Sequence, residues 1–325
     1  MAPAPSLATQ SAIGVDLGGT KMRAGAVDGS PRVVWRREES SIGLDTDELL
    51  AVLRGELEEA IAAQPTALAA GLGVPCRIDR ERGVAIGAVN LPITDLPLRD
   101  VVGEWLDVPV FVDNDANVAA IAEHRHGAAR GARHVLMLTI GTGVGGGLIL
   151  DNEVYRGATG AGAEIGHIVV EIDGPPCPGS CPNHGCLEAV ASGLALARDG
   201  EEAATEHPES ALGRAAAAGE EITGRTVTDA ALAGDEVARE VVSTLGRRLG
   251  AGLSGLANVF EPEVIVIGGG VMAAGDLLLD PARAELRSRA LAPMNETPVV
   301  PAALGAEAGI IGAATMALLE LEGGS

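Results

Sequence analysis

Lysine is almost missing from this chain. Lys and Arg together number 23, yet only Lys21 is a lysine. Aromatics are as scarce, at two Trp, two Phe and one Tyr in 325 residues. A core without rings must be filled by Ala, Val, Leu and Ile, which suits buried strands covered by helices. Basic charge is short overall: 45 acidic residues leave a net charge of −22. Such a surface repels nucleic acid and anionic membrane and excludes both as partners. It leaves phosphate ligands open, because backbone N–H groups and a metal ion neutralise phosphate locally. No apolar run reaches spanning length, so no transmembrane helix is expected. The opening MAPAPSLATQ has neither a basic stretch nor an apolar one, so residues 1–11 are read as a disordered tail and the protein as cytoplasmic.

Apolar residues make up 47% of the chain. The length fits two domains or one large one. Strands are expected at 12–16, 23–28, 32–37, 67–74, 84–89, 109–112, 134–140, 147–150 and 263–267. Helical spacing marks 46–63, 98–106, 116–126, a charged, Ala-rich helical section over 199–240, a long helix over 236–259 and a final one over 306–321. The order strand, glycine turn, strand, turn occurs twice, at 12–37 and again from 134. That weak duplication points to two α/β lobes, 12–118 and 119–305, with the last helix packing back on the first. Ligands of open α/β sheets lie outside the carboxyl ends of strands, so the glycine turns should converge on a cleft.

Three such turns follow strands. The first is Asp16-Leu17-Gly18-Gly19-Thr20-Lys21, an acid able to hold Mg²⁺ beside glycines, a hydroxyl and the lone ammonium. A compact ammonium differs from a guanidinium, which gives that single lysine meaning. The second turn is Gly141-Thr142-Gly143-Val144-Gly145-Gly146-Gly147, and the third Gly268-Gly269-Gly270-Val271-Met272. Each alone is compatible with an ordinary tight turn; three together favour a nucleotide. Asp113-Asn114-Asp115-Ala116-Asn117 joins a strand to a helix. Asp115 could be the carboxylate that phosphoryl transfer to an alcohol needs, and Asn114 could hold neighbouring hydroxyls. The same residues are preferred helix caps, the reading favoured for Asp113 and Asn117. The segment 157–188 carries Glu164, His167, Cys177, Cys181, Cys186 and Glu188. Three Cys and one His make a closed, structural zinc site. His184 is an alternative ligand. In this reading Glu164 and Glu188 present carboxylates to sugar hydroxyls.

DLGGTK, GVP at 73–75, VNLP at 89–92, NDAN at 114–117, GTGVGGG, GAEIGH, CPNHGCLE and EPEVIVIGGG stand in the order seen in ROK sugar kinases and related repressors. The resemblance covers about residues 12–318, and the GAEIGH segment with the cysteines is its most specific part. It implies an actin-like, ribonuclease-H-like duplicated α/β fold whose two lobes close on sugar and ATP-Mg²⁺ in a central cleft. It implies Asp115 as catalytic base, and Asn90, Asn114, Glu164, His167 and Glu188 around the sugar. Asp16, Gly18, Gly19, Thr20, Lys21, Gly141, Thr142, Gly143, Gly269 and Gly270 fall to ATP and Mg²⁺, and His167, Cys177, Cys181 and Cys186 to Zn²⁺. Two positions depart from the family pattern. Cys177 and Cys181 are separated by three residues instead of one, and Cys76 stands where Gly often follows GVP.

The expected activity is glucose phosphorylation by ATP. The alternatives are another sugar (mannose, fructose or an N-acetylhexosamine) or, in a different class, a sugar-responsive repressor. About a dozen residues before the first strand are too few for a helix-turn-helix, and the charge has the wrong sign. The resemblance also implies a homo-oligomer, dimer or tetramer.

Overall fold

The computed structural model describes residues 10–88 and 90–323. The expected tail at 1–9 and Val89 of the VNLP segment lie outside the described residues. Ser11, placed in the tail by sequence, already belongs to the first strand.

Strands β1 (Ser11–Leu17), β2 (Lys21–Val27) and β3 (Val33–Ser40) form an antiparallel meander. Helix α1 (Thr46–Ala63) leads to β4 (Ala67–Val74), which pairs parallel with β1. Strands β5 (Cys76–Asp79), β6 (Val84–Ala88) and β7 (Thr94–Leu96) make a small antiparallel sheet of their own. Helix α2 (Leu98–Gly103) precedes β8 (Val110–Asn114), parallel to β4, and α3 (Asp115–His126) follows at once. The order of this sheet is β3-β2-β1-β4-β8.

The pattern then restarts with β9 (Val135–Ile140), β10 (Val144–Leu150) and β11 (Glu153–Val154). A long loop and the helices α4 (Leu187–Ala191), α5 (Gly193–Glu206), α6 (Ala211–Ala217), α7 (Gly224–Leu232) and α8 (Glu236–Phe260) lead to β12 (Val264–Gly268). Helix α9 (Asp276–Arg289), β13 (Val299–Pro301) and α10 (Ala308–Gly323) complete the chain. The second sheet is ordered β11-β10-β9-β12-β13, with β9, β12 and β13 parallel, and so repeats the first strand for strand. One compact unit runs to Gly131 and takes in Gly147–Ala163 and the chain from Ala303; the other comprises Ala132–Gly146 and Glu164–Ala302.

Local chemistry explains the elements. Asp45 and Glu48 close a reciprocal capping box at the start of α1, and Asp235 caps α8. On one face of the first sheet, Leu49, Leu53 and Leu57 of α1 bury against Met22 and Leu72. On the other lies α10, with Ile310, Ala313 and Ala314 inward. Small residues make that second contact possible: a Cβ on Gly14 would stand 1.9 Å from the Ile310 carbonyl oxygen. This is how a core with few rings reaches close packing.

Three expectations need correction. The glycine turn of the second half is only Gly141–Gly143; Val144, Gly145 and Gly146 already belong to β10, ahead of the strand expected from 147. Strand β8 continues through Asp113 and Asn114 instead of stopping before them. Helix α2 ends at Gly103, short of 106. Among the described residues no helix is long and apolar enough to cross a membrane.

Candidate active site

The β8–α3 corner carries the candidate base. Asn114 is the helix cap: its side-chain oxygen accepts the Ala116 N–H at 2.9 Å and the Asn117 N–H at 3.3 Å. Its amide donates to the Cys76 carbonyl at 3.3 Å, tying the corner to β5. Asp115 is the first residue of α3, and its carboxylate accepts the Ala116 N–H at 2.9 Å. That places an anion on a helix N-terminus, where the dipole favours it. The capping role expected of Asp113 and Asn117 therefore falls to Asn114. Asp113 and Asn117, each 1% exposed, are buried instead. Asp113 accepts from the Asn114 N–H (2.8 Å), the Asn117 amide (3.0 Å) and Arg156 Nε (2.6 Å). Burial, reinforced by the negative charge of Asp115, pushes the Cys76 thiol up to about 12, so Cys76 is a neutral, space-filling group near Asp115.

In the same unit, the first glycine turn is closed by the Gly18 N–H donating to the Lys21 carbonyl at 3.0 Å. Ser41 Oγ donates to the Gly18 carbonyl at 2.7 Å. Asn90 packs against Gly19, where a Cβ would come within 2.6 Å of the Asn90 Cβ. The structure thus brings Asn90 to the turn. The Lys21 ammonium is exposed and pairs with Glu38 at 2.5 Å. With Arg23 at 2.8 Å it holds the Glu38 carboxyl down at about 2. Arg23 also lies 3.3 Å from Asp16. Burial pushes the Asp16 carboxyl up, and Arg23 offsets part of that. Arg23 escaped the sequence reading, although the register of the β1–β2 hairpin sets it opposite Asp16.

In the other unit, Gly141 and Thr142 meet the start of α5: the Gly193 N–H donates to the Gly141 carbonyl at 2.8 Å and the Leu194 N–H to that of Thr142 at 3.4 Å. Gly269, at φ +91°, packs against Ile140 at the end of β9, with Gly270 opening a 3-10 turn. The second and third glycine turns and a helix N-terminus therefore gather at one sheet end, an arrangement suited to phosphate. Gly143 makes room for Glu188, since a Cβ there would lie 2.2 Å from Glu188 Oε2. That oxygen accepts the Val144 N–H at 2.8 Å.

Glu188 also reaches the cysteine loop, with Oε1 4.0 Å from Cys177 Sγ. The ligand atoms of His167, Cys177, Cys181 and Cys186 all lie within 4.8 Å of one another. His167 Nδ1 is 3.4 Å from Cys177 Sγ, and the Cys181 and Cys186 sulfurs are 3.9 Å apart. A disulfide needs about 2.05 Å; tetrahedral zinc with Zn–S near 2.3 Å needs roughly 3.8 Å between sulfurs. All four cysteines are free thiols. The wider Cys177-to-Cys181 spacing is absorbed by the loop, whose bridges Val169 to Cys186 and Pro176 to His184 hold its two sides together. His184 is exposed and outside the cluster. Glu164, also exposed, opens the 3-10 turn that carries His167. With Nδ1 turned to the sulfurs, His167 keeps Nε2 for another partner.

A protein-family model described as the ROK family matches residues 12–320. A glucokinase of Halalkalibacterium halodurans is 38% identical over 307 residues, covering 92% of each chain. A xylose repressor of Caldicellulosiruptor bescii is 31% identical over 291 residues, 86% of this chain and 70% of that protein. Among solved structures, a ROK family glucokinase from Streptomyces griseus in complex with glucose and AMPPNP matches with a TM-score of 0.84 at 36% identity, covering 95% of this chain and 99% of that one.

Proposed function

The chain belongs to the ROK family, and on that premise we propose that it transfers the γ-phosphoryl group of ATP to glucose, giving glucose 6-phosphate and ADP. The duplicated sheet order is that of the actin-like ATPase fold shared with its structural neighbours. The observation that carries the reading is the Asp115 carboxylate, held at the end of β8 by a capped helix and a buried hydrogen-bond network.

Asp115 takes the proton of the attacking sugar hydroxyl. The oxygen bonds to the γ-phosphorus as the bond to the bridging β,γ-oxygen breaks, and ADP leaves. Catalysis of this kind is positioning plus charge stabilisation. Asn90, Asn114, Glu164, His167 and Glu188 supply partners for sugar hydroxyls. The Gly18–Lys21 and Gly141–Gly143 turns offer N–H groups to phosphate, and Gly269 and Gly270 flank the nucleotide. Mg²⁺ carried with ATP would spread the charge of the transferring group, with Asp16 the carboxylate placed to hold it.

His167, Cys177, Cys181 and Cys186 fit Zn²⁺ in number, type and spacing. Zinc would supply closure of the loop that presents Glu164 and Glu188. Burial holds the Cys177 and Cys186 thiols above the ordinary range, so the cation must displace their protons. The same reading makes the enzyme cytoplasmic and homo-oligomeric, a dimer or tetramer.

ADP release across a panel of hexoses tests the proposal. Glucose should stimulate it most, and Asp115→Asn should lower kcat by roughly 10²–10⁴ while glucose still binds. A folded, zinc-replete protein with no sugar-stimulated release overturns the kinase reading. Unchanged turnover in Asp115→Asn removes the base.

A further inference from the structure

Arg156 belongs to none of the motifs above, yet it is the cation at the centre of the corner that carries Asp115. Its side chain is 15% exposed and that of Asp113 2%. Arg156 Nε lies 2.6 Å from Asp113 Oδ2, and its NH2 lies 3.3 Å from Glu320 of α10. Arg80 pairs with the same Glu320 oxygen. The opposite oxygen of Asp113 accepts the Asn114 N–H and the Asn117 side-chain amide, one on each side of Asp115.

The backbone of Arg156 is equally fixed. Its carbonyl accepts the Gly162 N–H at 2.8 Å, and Gly160, at φ +89°, lies against the Ile78 carbonyl of β5. A rigid turn therefore carries the guanidinium to Asp113, and Asp113 in turn grips the residues that flank Asp115. A planar guanidinium donates along fixed directions, which a flexible ammonium does not. Among the described residues Asp113 has no other cationic partner.

We infer that Arg156 is a positioning residue for phosphoryl transfer: through Asp113 it sets the direction in which the Asp115 carboxylate faces the sugar hydroxyl. The inference rests on Asp115 being the base. Arg156 touches neither substrate; it acts through the Asp113 carboxylate and the Asn114 and Asn117 hydrogen bonds.

The full-length enzyme separates this role from simple folding support. Arg156→Met should lower kcat by about a hundredfold, the size of loss expected from a misplacement on the order of 1 Å. KM for ATP should stay within about twofold, because the glycine turns are untouched. Arg156→Lys should recover only part of kcat, since it restores charge without the fork. Arg156→Met also leaves Asp113 buried without its cation and lowers thermal stability. The double variant Asp113→Asn with Arg156→Met removes that charge, so its melting temperature should return toward wild type while kcat stays at least about tenfold low. Recovery of kcat together with stability in the double variant overturns the inference, as does an unchanged kcat in folded Arg156→Met. Asp115→Asn runs alongside as the control. Full activity there sinks the base assignment itself, whereas an inactive Asp115→Asn beside a fully active Arg156→Met sinks only the role of Arg156.

Discussion

The β8–α3 corner and the cysteine loop hold their functional groups in opposite ways. In the corner, every charge that fixes Asp115 has its partner within the chain: Asp113 meets Arg156, and Asn114 caps α3. In the loop, backbone bridges bring His167 and three thiols together, and no charged partner but Glu188, 4.0 Å from Cys177 Sγ, is bonded to them among the described residues. The corner is complete on folding. On the proposed function, a cation completes the loop. In that proposal a base must be aimed in every state of the enzyme, whereas a loop that binds sugar would gain from a brace that spares hydrophobic core, which is the use small segments make of structural metals.

The largest effect expected from this contrast comes from removing the brace. Cys186→Ser should abolish stoichiometric zinc in metal analysis of protein purified without chelator. Sugar-stimulated ADP release should fall by about a hundredfold, at the upper end of losses seen when metal sites are disturbed. The β8–α3 corner should persist, so ATP binding and most of the cooperative unfolding transition should remain. A variant that loses zinc and keeps its turnover would erase the distinction between the two regions.

Much of this was legible in the sequence, and the parts that were not have physical reasons. Helix α1 and strand β4 sit where the periodicity sets them, residue for residue. Strands β5 and β7 carry charge and are short, Cys-Arg-Ile-Asp and Thr-Asp-Leu, so no alternation can develop. Helix α9 is masked by Pro281 in its first turns, which interrupts the apolar spacing. The glycine run misled because glycine reads as a turn, whereas Gly145 and Gly146 are already strand, where a residue without a side chain admits close neighbours. At the candidate site, the carboxylates, His167 and the cysteines stood out by residue type and spacing. The residue that aims them did not: Arg156 finds Asp113 across 43 positions, and no local pattern encodes that meeting.

A third buried group sharpens the comparison because it has neither kind of support. Glu56 on α1 is 1% exposed, and neither carboxylate oxygen has a hydrogen-bond partner. Burial, with Glu39 and Glu59 adding and Arg37 opposing, raises its pKa to about 8. The folded value lies above the unfolded one, so its contribution is whole below about 4.5 and is lost as pH rises toward 8. Glu56→Leu should therefore stabilise the protein by roughly 1–2 kcal/mol at pH 8 and by much less at pH 5. Urea unfolding of both proteins at the two pH values measures this. An equal difference at both would mean that the carboxyl finds a partner which lets it ionise.

The smallest effect concerns the backbone between the two regions. Ala163 lies seven residues after Arg156 and just before Glu164, at φ +63°. An L-residue there meets its own carbonyl, at about 1–2 kcal/mol. Glycine relieves that contact and returns part of the gain through a freer unfolded chain. Ala163→Gly should thus raise the urea midpoint by the equivalent of about 0.5 kcal/mol. The activity readout decides what the strain is for. If Ala163 only joins two independently held regions, the sugar KM stays at its wild-type value, which is the expected result. A stabilised variant with a raised sugar KM would instead show that the strained residue helps to hold Glu164.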